Sequence, residues 1–214
     1  MTVEALIQAA GRGSRLGLGP KAFVTLGGMT LLERAVGLVS AFAASVLVAV
    51  ADDDIGRAND LVGSRKVRVM PGGATRSETT RRLIDAASEP WLLLHDVVHP
   101  FVAPDLVTRL LSAGRETGAA APGLPNTEFV YSRDGTILHR PGDVLVGQKP
   151  VVVSLAAVRA GYAAASGDDA ESDPSLIEVL ARAGVRTAFV PGSADNIKIT
   201  SLADLRLAEA LGRI

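Results

Sequence analysis

The first half of the chain carries apolar runs at Val3 to Gln8, Ser45 to Val50, Lys66 to Met70 and Trp91 to His95. These runs are continuous rather than alternating, the pattern of strands covered on both faces. Segments of helical length lie between them. Thr30-Leu31-Leu32-Glu33 is a capping-box sequence, and Leu31, Leu32, Ala35, Leu38 and Val39 fall on one helical stripe behind it. Arg76 to Ala87 has Leu83, Ile84 and Ala87 for a buried side, and Pro104 to Ala113 starts with proline at a favourable first helical position. Strand alternating with helix predicts a doubly wound α/β domain: a mostly parallel sheet, helices on both faces and right-handed crossovers.

The alternation stops after Gly118 to Pro122. From Asn126 to Pro150 helical periodicity is poor, and turn signals stand at Arg133-Asp134-Gly135 and Pro141-Gly142-Asp143. Phe129-Val130-Tyr131, Thr136-Ile137-Leu138 and Val144-Leu145-Val146 are arranged around those turns as a small antiparallel ribbon would be, a projecting arm suited to an interface. The α/β pattern resumes with helices near Ser154 to Ala165 and after Ser172-Asp173-Pro174. A strand at Val185 to Val190 and a last helix capped by Ser201, with Asp204 three residues on, complete it. Only Ser166 to Ser172 reads as a linker, so residues 1–214 are expected to form one domain with an arm at about 126–150.

Composition narrows the function classes. With 214 residues, 48% of them apolar, the chain can bury one substantial core. A net charge of −1 supplies no general field for nucleic acid or an anionic membrane, so any positive potential must be local. Cysteine is absent, which excludes disulfides and thiolate metal sites. No apolar run approaches the roughly 20 residues of a membrane span, and the N-terminus lacks a signal-peptide pattern. The expectation is a cytoplasmic protein that binds neither nucleic acid nor membrane.

The candidate chemistry starts directly after the first apolar run, at Ala9-Ala10-Gly11-Arg12-Gly13-Ser14-Arg15-Leu16-Gly17-Leu18-Gly19-Pro20-Lys21. Glycines let a loop turn successive N–H groups toward an anion, and Arg15 and Lys21 can meet the charge of a polyphosphate. Leu16 in the third glycine position argues against a dinucleotide fingerprint. Pro20-Lys21-Ala22 excludes a P-loop. A flexible strand-to-helix turn is the alternative to a phosphate cradle. Two further polar clusters also follow predicted strands: Pro71-Gly72-Gly73-Ala74-Thr75-Arg76-Ser77 and His95-Asp96-Val97-Val98-His99-Pro100. In an open α/β sheet this rim is where ligands bind. Asp96 sits behind four apolar residues and needs a cation, a metal or donors, or else caps the next turn. His95, Asp96 and His99 could ligate a divalent ion, but no further strong ligand lies close by and the turn sets no fixed facing of residues 95 and 99, which weakens a metal reading. Arg76 opposes the macrodipole at a helix start, explained by a bound anion or by plain solvent exposure.

These clusters, together with Asp195-Asn196-Ile197-Lys198-Ile199-Thr200, resemble the cytidylyltransferase family acting on 2-C-methyl-D-erythritol 4-phosphate in non-mevalonate isoprenoid-precursor synthesis. The resemblance covers essentially the whole chain, with the motifs in the family's order. It implies a Rossmann-like sheet of nucleotidyltransferase type with a projecting antiparallel arm, and transfer of CMP from CTP to the acceptor phosphate with release of pyrophosphate. Mg²⁺ is implied as cofactor, held mainly by the CTP phosphates. Arg15 and Lys21 would stabilise the transition state, Lys198 would reach a phosphate, and Arg140 on the arm would grip the acceptor phosphate across a homodimer. Ala9, Ala10, Gly11, Gly13, Gly73, Arg76 and Thr79 would line the nucleotide. Asp96, His99, Thr127, Gln148 and Ser172 fall on the acceptor side, with Asp96 holding ribose or acceptor hydroxyls.

Departures from the family pattern concentrate on that acceptor side. An arginine of the His-Asp motif reads His99, Asp-Thr-x-Lys reads Asn126-Thr127-Glu128-Phe129, and Thr-Pro-Gln reads Gln148-Lys149-Pro150. A histidine carries only part of a charge near neutral pH. Another polyol phosphate or phosphonate as acceptor, or a nucleotide-binding paralogue with weakened catalysis, are the alternatives these changes raise.

Overall fold

The computed structural model describes residues 2–164 and 173–212. The strands of the main sheet are β1 (Val3–Gln8), β4 (Ser45–Val50), β5 (Val67–Pro71), β6 (Trp91–Asp96), β7 (Ala119–Pro125), β10 (Leu145–Gly147), β11 (Val151–Ser154) and β12 (Ala188–Pro191). They run in the order β10-β7-β11-β6-β1-β4-β5, with β12 on β7. β10 and β11 alone run against the rest; the others are mutually parallel. Small hairpins join β2 (Thr25–Leu26) to β3 (Met29–Thr30) and β8 (Val130–Tyr131) to β9 (Ile137–His139).

Helices α1 (Leu31–Ser40), α2 (Ile55–Val62), α3 (Arg76–Ala86), α4 (Pro104–Thr117), α5 (Leu155–Ala163), α6 (Leu176–Arg182) and α7 (Leu202–Leu211) flank the sheet. Alternating side chains divide the interior into two layers. Ala5 and Ile7 of β1, with Val46, Val48 and Leu93, pack toward α1 and α4. Leu6, with Leu47, Ala49, Leu92 and Leu94, packs toward α3, α5 and α6. Glu4 is the exception inside β1: it is 3% exposed, and its carboxylate accepts from Ser45 Oγ at 3.1 Å and the Ser88 N–H at 2.7 Å.

The predicted caps are present. Thr30 and Glu33 form the capping box of α1, Ser201 and Asp204 that of α7, and Pro104 opens α4. The linker Ser166 to Ser172, with the candidate residue Ser172, lies outside the described residues, and so does the last predicted residue of α5. One expectation needs correction: the excursion after Asn126 is not a three-stranded ribbon. Only β8 and β9 pair in the arm, while the third run becomes β10 and joins β7 through Leu145–Pro125, Val146–Leu124 and Gly147–Gly123. The physical reason is β7 itself, an Ala-, Gly- and Pro-rich strand without the bulky β-branched residues by which strands are recognised. β10 and β11 then lie end to end along the same edge of β7, interrupted at Gln148 to Pro150.

Asn126 fixes the base of the arm. Its side chain donates to the Glu128 carbonyl at 2.7 Å and the Arg140 carbonyl at 2.9 Å, and accepts from the Val144 N–H at 3.2 Å. One buried amide therefore ties both roots of the hairpin together.

Candidate active site

A cleft of about 920 Å³ opens at the carboxyl ends of β1, β4, β5 and β6. Its walls are the opening glycine loop, the turn after β5 and the end of β6, the rim where such sheets bind ligands. The loop is closed on itself: the Lys21 N–H donates to the Gly11 carbonyl at 3.2 Å, and the Gly13 carbonyl accepts from Leu16 and Gly17 at 2.9 and 3.1 Å. Leu16, in the position a dinucleotide fingerprint would give to glycine, is 1% exposed and anchors the loop in the core. Gly13 has φ +69°, and a Cβ there would stand 2.1 Å from the Gly19 carbonyl oxygen. Glycine is required at that turn.

The second wall approaches closely. The Gly72 N–H donates to the Val50 carbonyl at 2.7 Å, and a Cβ on Gly72 would meet the Ala10 Cβ at 2.6 Å. Thr79 is buried beneath this turn; its hydroxyl accepts from the Gly73 N–H at 2.9 Å and donates to the Thr75 carbonyl at 2.9 Å. Arg76, at the start of α3, stands 3.3 Å from the Asp173 carboxylate and donates to the Asp173 carbonyl at 2.7 Å. Asp173 also accepts from the Ser77 N–H at 2.7 Å. The anion that accounts for an arginine against the macrodipole is thus a carboxylate of this same chain.

Lys21 opens a short 3-10 turn, and its ammonium donates to the Ile199 carbonyl at 3.0 Å, which joins the glycine loop to the segment carrying Lys198. Burial lowers the Lys21 pKa, and the neighbouring charges of Arg15 and Lys198 lower it further. Three cations therefore converge on one end of the cleft. Asp204 offsets part of that repulsion, and an anion sharing the space would offset more.

At the floor, Asp96 does not cap the following turn. Its carboxylate stands 3.8 Å from Lys149 Nζ, with side chains 13% and 18% exposed. Burial alone would raise the Asp96 pKa, but Lys149 and the surrounding positive groups outweigh it, and the carboxyl lies below its ordinary value. His95 is 1% exposed, and burial pushes its pKa down to about 3. His99 is 5% exposed, its Nδ1 lies 3.4 Å from the Asn196 carbonyl, and burial lowers its pKa too. Both rings are neutral near pH 7.

The structure brings Ala10, Gly11, Gly13, Arg15, Lys21, Gly73, Arg76, Thr79 and Asp96 to one cleft. Ala9 is buried just behind it, its N–H bonded to the Ala49 carbonyl at 2.8 Å, and Lys198 is exposed beside Lys21. Gln148 is committed elsewhere: its amide donates to the carbonyls of Ser193 at 2.8 Å and Asn196 at 3.1 Å, and accepts from the Ser193 N–H at 3.1 Å. Thr127 and Arg140 are exposed on the arm and do not line the cleft of their own chain. Sequence reasoning gave no role to Lys149, Asp173 or Gln8; Gln8 lines the cleft and donates to the Arg76 carbonyl at 3.2 Å. The one signal for Lys149 was a cation directly before the apolar run Pro150 to Val153.

Comparisons with known proteins agree with this geometry. A 2-C-methyl-D-erythritol 4-phosphate cytidylyltransferase of Thermus thermophilus is 42% identical, covering 100% of this chain and 99% of that protein. One from Deinococcus radiodurans is 38% identical, covering 97% of this chain and 88% of that protein. The crystal structure of a Thermus thermophilus enzyme of that name superposes with a TM-score of 0.83 at 34% identity, covering 100% of both chains. The family pattern for 2-C-methyl-D-erythritol 4-phosphate cytidylyltransferase (IspD) matches residues 3–213, and with the glycine loop, the facing turn and Asp96 on one rim, the chain belongs to that family.

Proposed function

We propose that this chain transfers the CMP unit of CTP to 2-C-methyl-D-erythritol 4-phosphate, giving 4-diphosphocytidyl-2-C-methyl-D-erythritol and pyrophosphate. The observation that carries the reading is the convergence of the glycine loop, Arg15, Lys21 and Asp96 on one cleft. An oxygen of the acceptor phosphate attacks the α-phosphorus of CTP. The new P–O bond forms as the bond to the β-phosphate oxygen breaks, and pyrophosphate leaves with the electron pair. The nucleophile is already an anion, so the protein needs only to align it and stabilise charge. Loop N–H groups cradle the triphosphate, and Arg15, Lys21 and Lys198 meet the charge on the transferring phosphorus. Arg76 and Thr79 with the turn at Gly73 flank the nucleoside, while Asp96 holds acceptor hydroxyls.

Mg²⁺ belongs to this reading as a passenger of the nucleotide. The glycine loop with Arg15 and Lys21 offers N–H donors and cations suited to phosphate oxygens, while Asp52, Asp53 and Asp96 are the carboxylates that also line the cleft. Among the described residues no group of three His, Cys, Asp or Glu could hold a metal ion. When bound, Mg²⁺ would neutralise triphosphate charge while keeping several waters, its usual mode.

Arg140 and Thr127 enter through a homodimer. The arm leaves Phe129, Tyr131 and Leu138 43%, 55% and 53% exposed, an apolar surface that a second copy would cover while lending both residues to the neighbouring cleft. Light scattering giving a monomer at micromolar concentration would remove this part. No helix among the described residues is long and apolar enough to cross a membrane, and the cytoplasm is the proposed location.

The enzyme test is pyrophosphate release from CTP and Mg²⁺ with 2-C-methyl-D-erythritol 4-phosphate as acceptor, beside a panel of polyol phosphates and phosphonates. Preference for another acceptor would favour the second reading, which His99 and Gln148 motivate. No release with any acceptor would leave a nucleotide-binding paralogue, against which the retained Arg15 and Lys21 argue.

A further inference from the structure

The pairing register of β6 and β11 runs Ser154–Trp91, Val153–Leu92, Val152–Leu93 and Val151–Leu94. Continued past Pro150, it sets Lys149 opposite Asp96. The sheet itself therefore aims a lysine at the carboxylate on the floor of the cleft, and the pair meets at 3.8 Å. The contact is incomplete. Asp96 Oδ1 is buried without a hydrogen-bond partner among the described residues, and at 3.8 Å the Lys149 ammonium stands beyond hydrogen-bond reach of it. Two desolvated charges held just too far apart to bond forgo the main compensation for their burial. The backbone on either side is tied down: the Lys149 carbonyl accepts from Asn196 Nδ2 at 2.7 Å, and Gln148 is fastened to Ser193 and Asn196. The pair cannot close by a simple shift of the strand.

A single oxygen can complete both groups. With hydrogen bonds of about 2.7–2.9 Å, one atom can touch both ends of such a gap. It must accept from an ammonium and donate to a carboxylate, and a hydroxyl does both. Asp96 lines the cleft, so the gap borders the candidate site at its carboxylate end. We propose that Lys149 and Asp96 form a hydroxyl clamp that selects a polyol acceptor, with Lys149 as a specificity-determining residue of this chain. This deepens the function proposed above and rests on it. His99 is neutral and bonded to the Asn196 main chain, so Lys149 is the charged group that faces Asp96 across the strand pair.

The test compares 2-C-methyl-D-erythritol 4-phosphate with 4-hydroxybutyl phosphate, which has a four-carbon chain and a phosphate but no inner hydroxyls. Wild type and Lys149→Met are assayed for kcat and KM with each acceptor, and for the KM of CTP. The clamp predicts that Lys149→Met raises the polyol KM about 10- to 100-fold, the loss of a hydrogen bond to a charged group, with the KM of CTP within about twofold. Discrimination between the two acceptors shrinks by the same factor. Lys149→Gln, which keeps an N–H donor and guards against a folding defect in the methionine variant, recovers part of that discrimination. A Lys149→Met enzyme with unchanged discrimination overturns the clamp, and so does one in which both acceptors weaken equally. If the wild type releases no pyrophosphate with either acceptor, the parent reading falls and the clamp with it.

Discussion

Replacing Gly13 with alanine tests whether the opening loop is a built cradle. Two costs follow from the structure. At φ +69° an L-residue in the left-handed region costs roughly 1–2 kcal/mol. The added Cβ would also stand 2.1 Å from the Gly19 carbonyl oxygen, about 1 Å inside the closest separation such atoms tolerate. Because the obstacle is backbone, the loop must move by about that much, and Lys21, two residues beyond Gly19, moves with it. A displacement of about 1 Å at catalytic groups can cost around 100-fold in rate. The expected result is a fall of about 100-fold in kcat/KM, with the melting temperature lowered by several degrees at most, since the loop is largely solvent-exposed. Gly17→Ala is the control. Gly17 has φ +72° but open space around its Cβ position, so it bears strain without collision and should lose less than about tenfold. The assay is steady-state pyrophosphate release with thermal unfolding alongside. A folded Gly13→Ala protein within threefold of wild type, or the two variants failing equally, would refute the cradle.

Further outcomes follow from the same geometry. Lys21→Ala should lower kcat by roughly 100- to 1000-fold, the range for a lost transition-state donor, while CTP binding by calorimetry weakens far less; equal losses would remove its transition-state role. Asn126→Ala removes three side-chain bonds at the arm's roots while the two main-chain bonds of residue 126 remain, and hydrogen exchange at the Val144 amide should speed up about tenfold or more, at about 1.4 kcal/mol per decade; unchanged protection would contradict the side chain's role. His95 is neutral when folded and regains its ordinary basicity when unfolded, so the unfolded state binds the extra proton. Its contribution is complete above about pH 6.5 and declines as pH falls toward the folded value of about 3. Urea titrations should show His95→Asn losing about 1.4 kcal/mol less than wild type for each pH unit in that window; parallel curves would refute the assignment.

The elements legible in the sequence were those whose signal is local. Thr30 and Glu33 cap α1, Pro104 opens α4, and β1, β4 and β6 are dense apolar runs. β7 was not legible because alanine, glycine and proline form a strand there only through pairing with three neighbours. α2 was hidden because it buries only Ala58. At the site, glycines and cations after a strand identified the nucleotide side, since loop chemistry is encoded in consecutive residues. Other contacts depend on partners far apart in the chain: on the acceptor side Lys149 faces Asp96 only by strand register, and on the nucleotide side Arg76 meets Asp173 only through the fold. Gln148 and His99 occupied motif positions, yet both bond the main chain of Asn196.

Phosphorus NMR of the wild-type protein with CTP, Mg²⁺ and 2-C-methyl-D-erythritol 4-phosphate tests the central claim most directly. The account predicts that the acceptor's phosphomonoester signal is replaced by two coupled diphosphate-diester signals, with one pyrophosphate formed for each acceptor consumed. Pyrophosphate appearing while the monoester persists, or no change in either substrate, would contradict it.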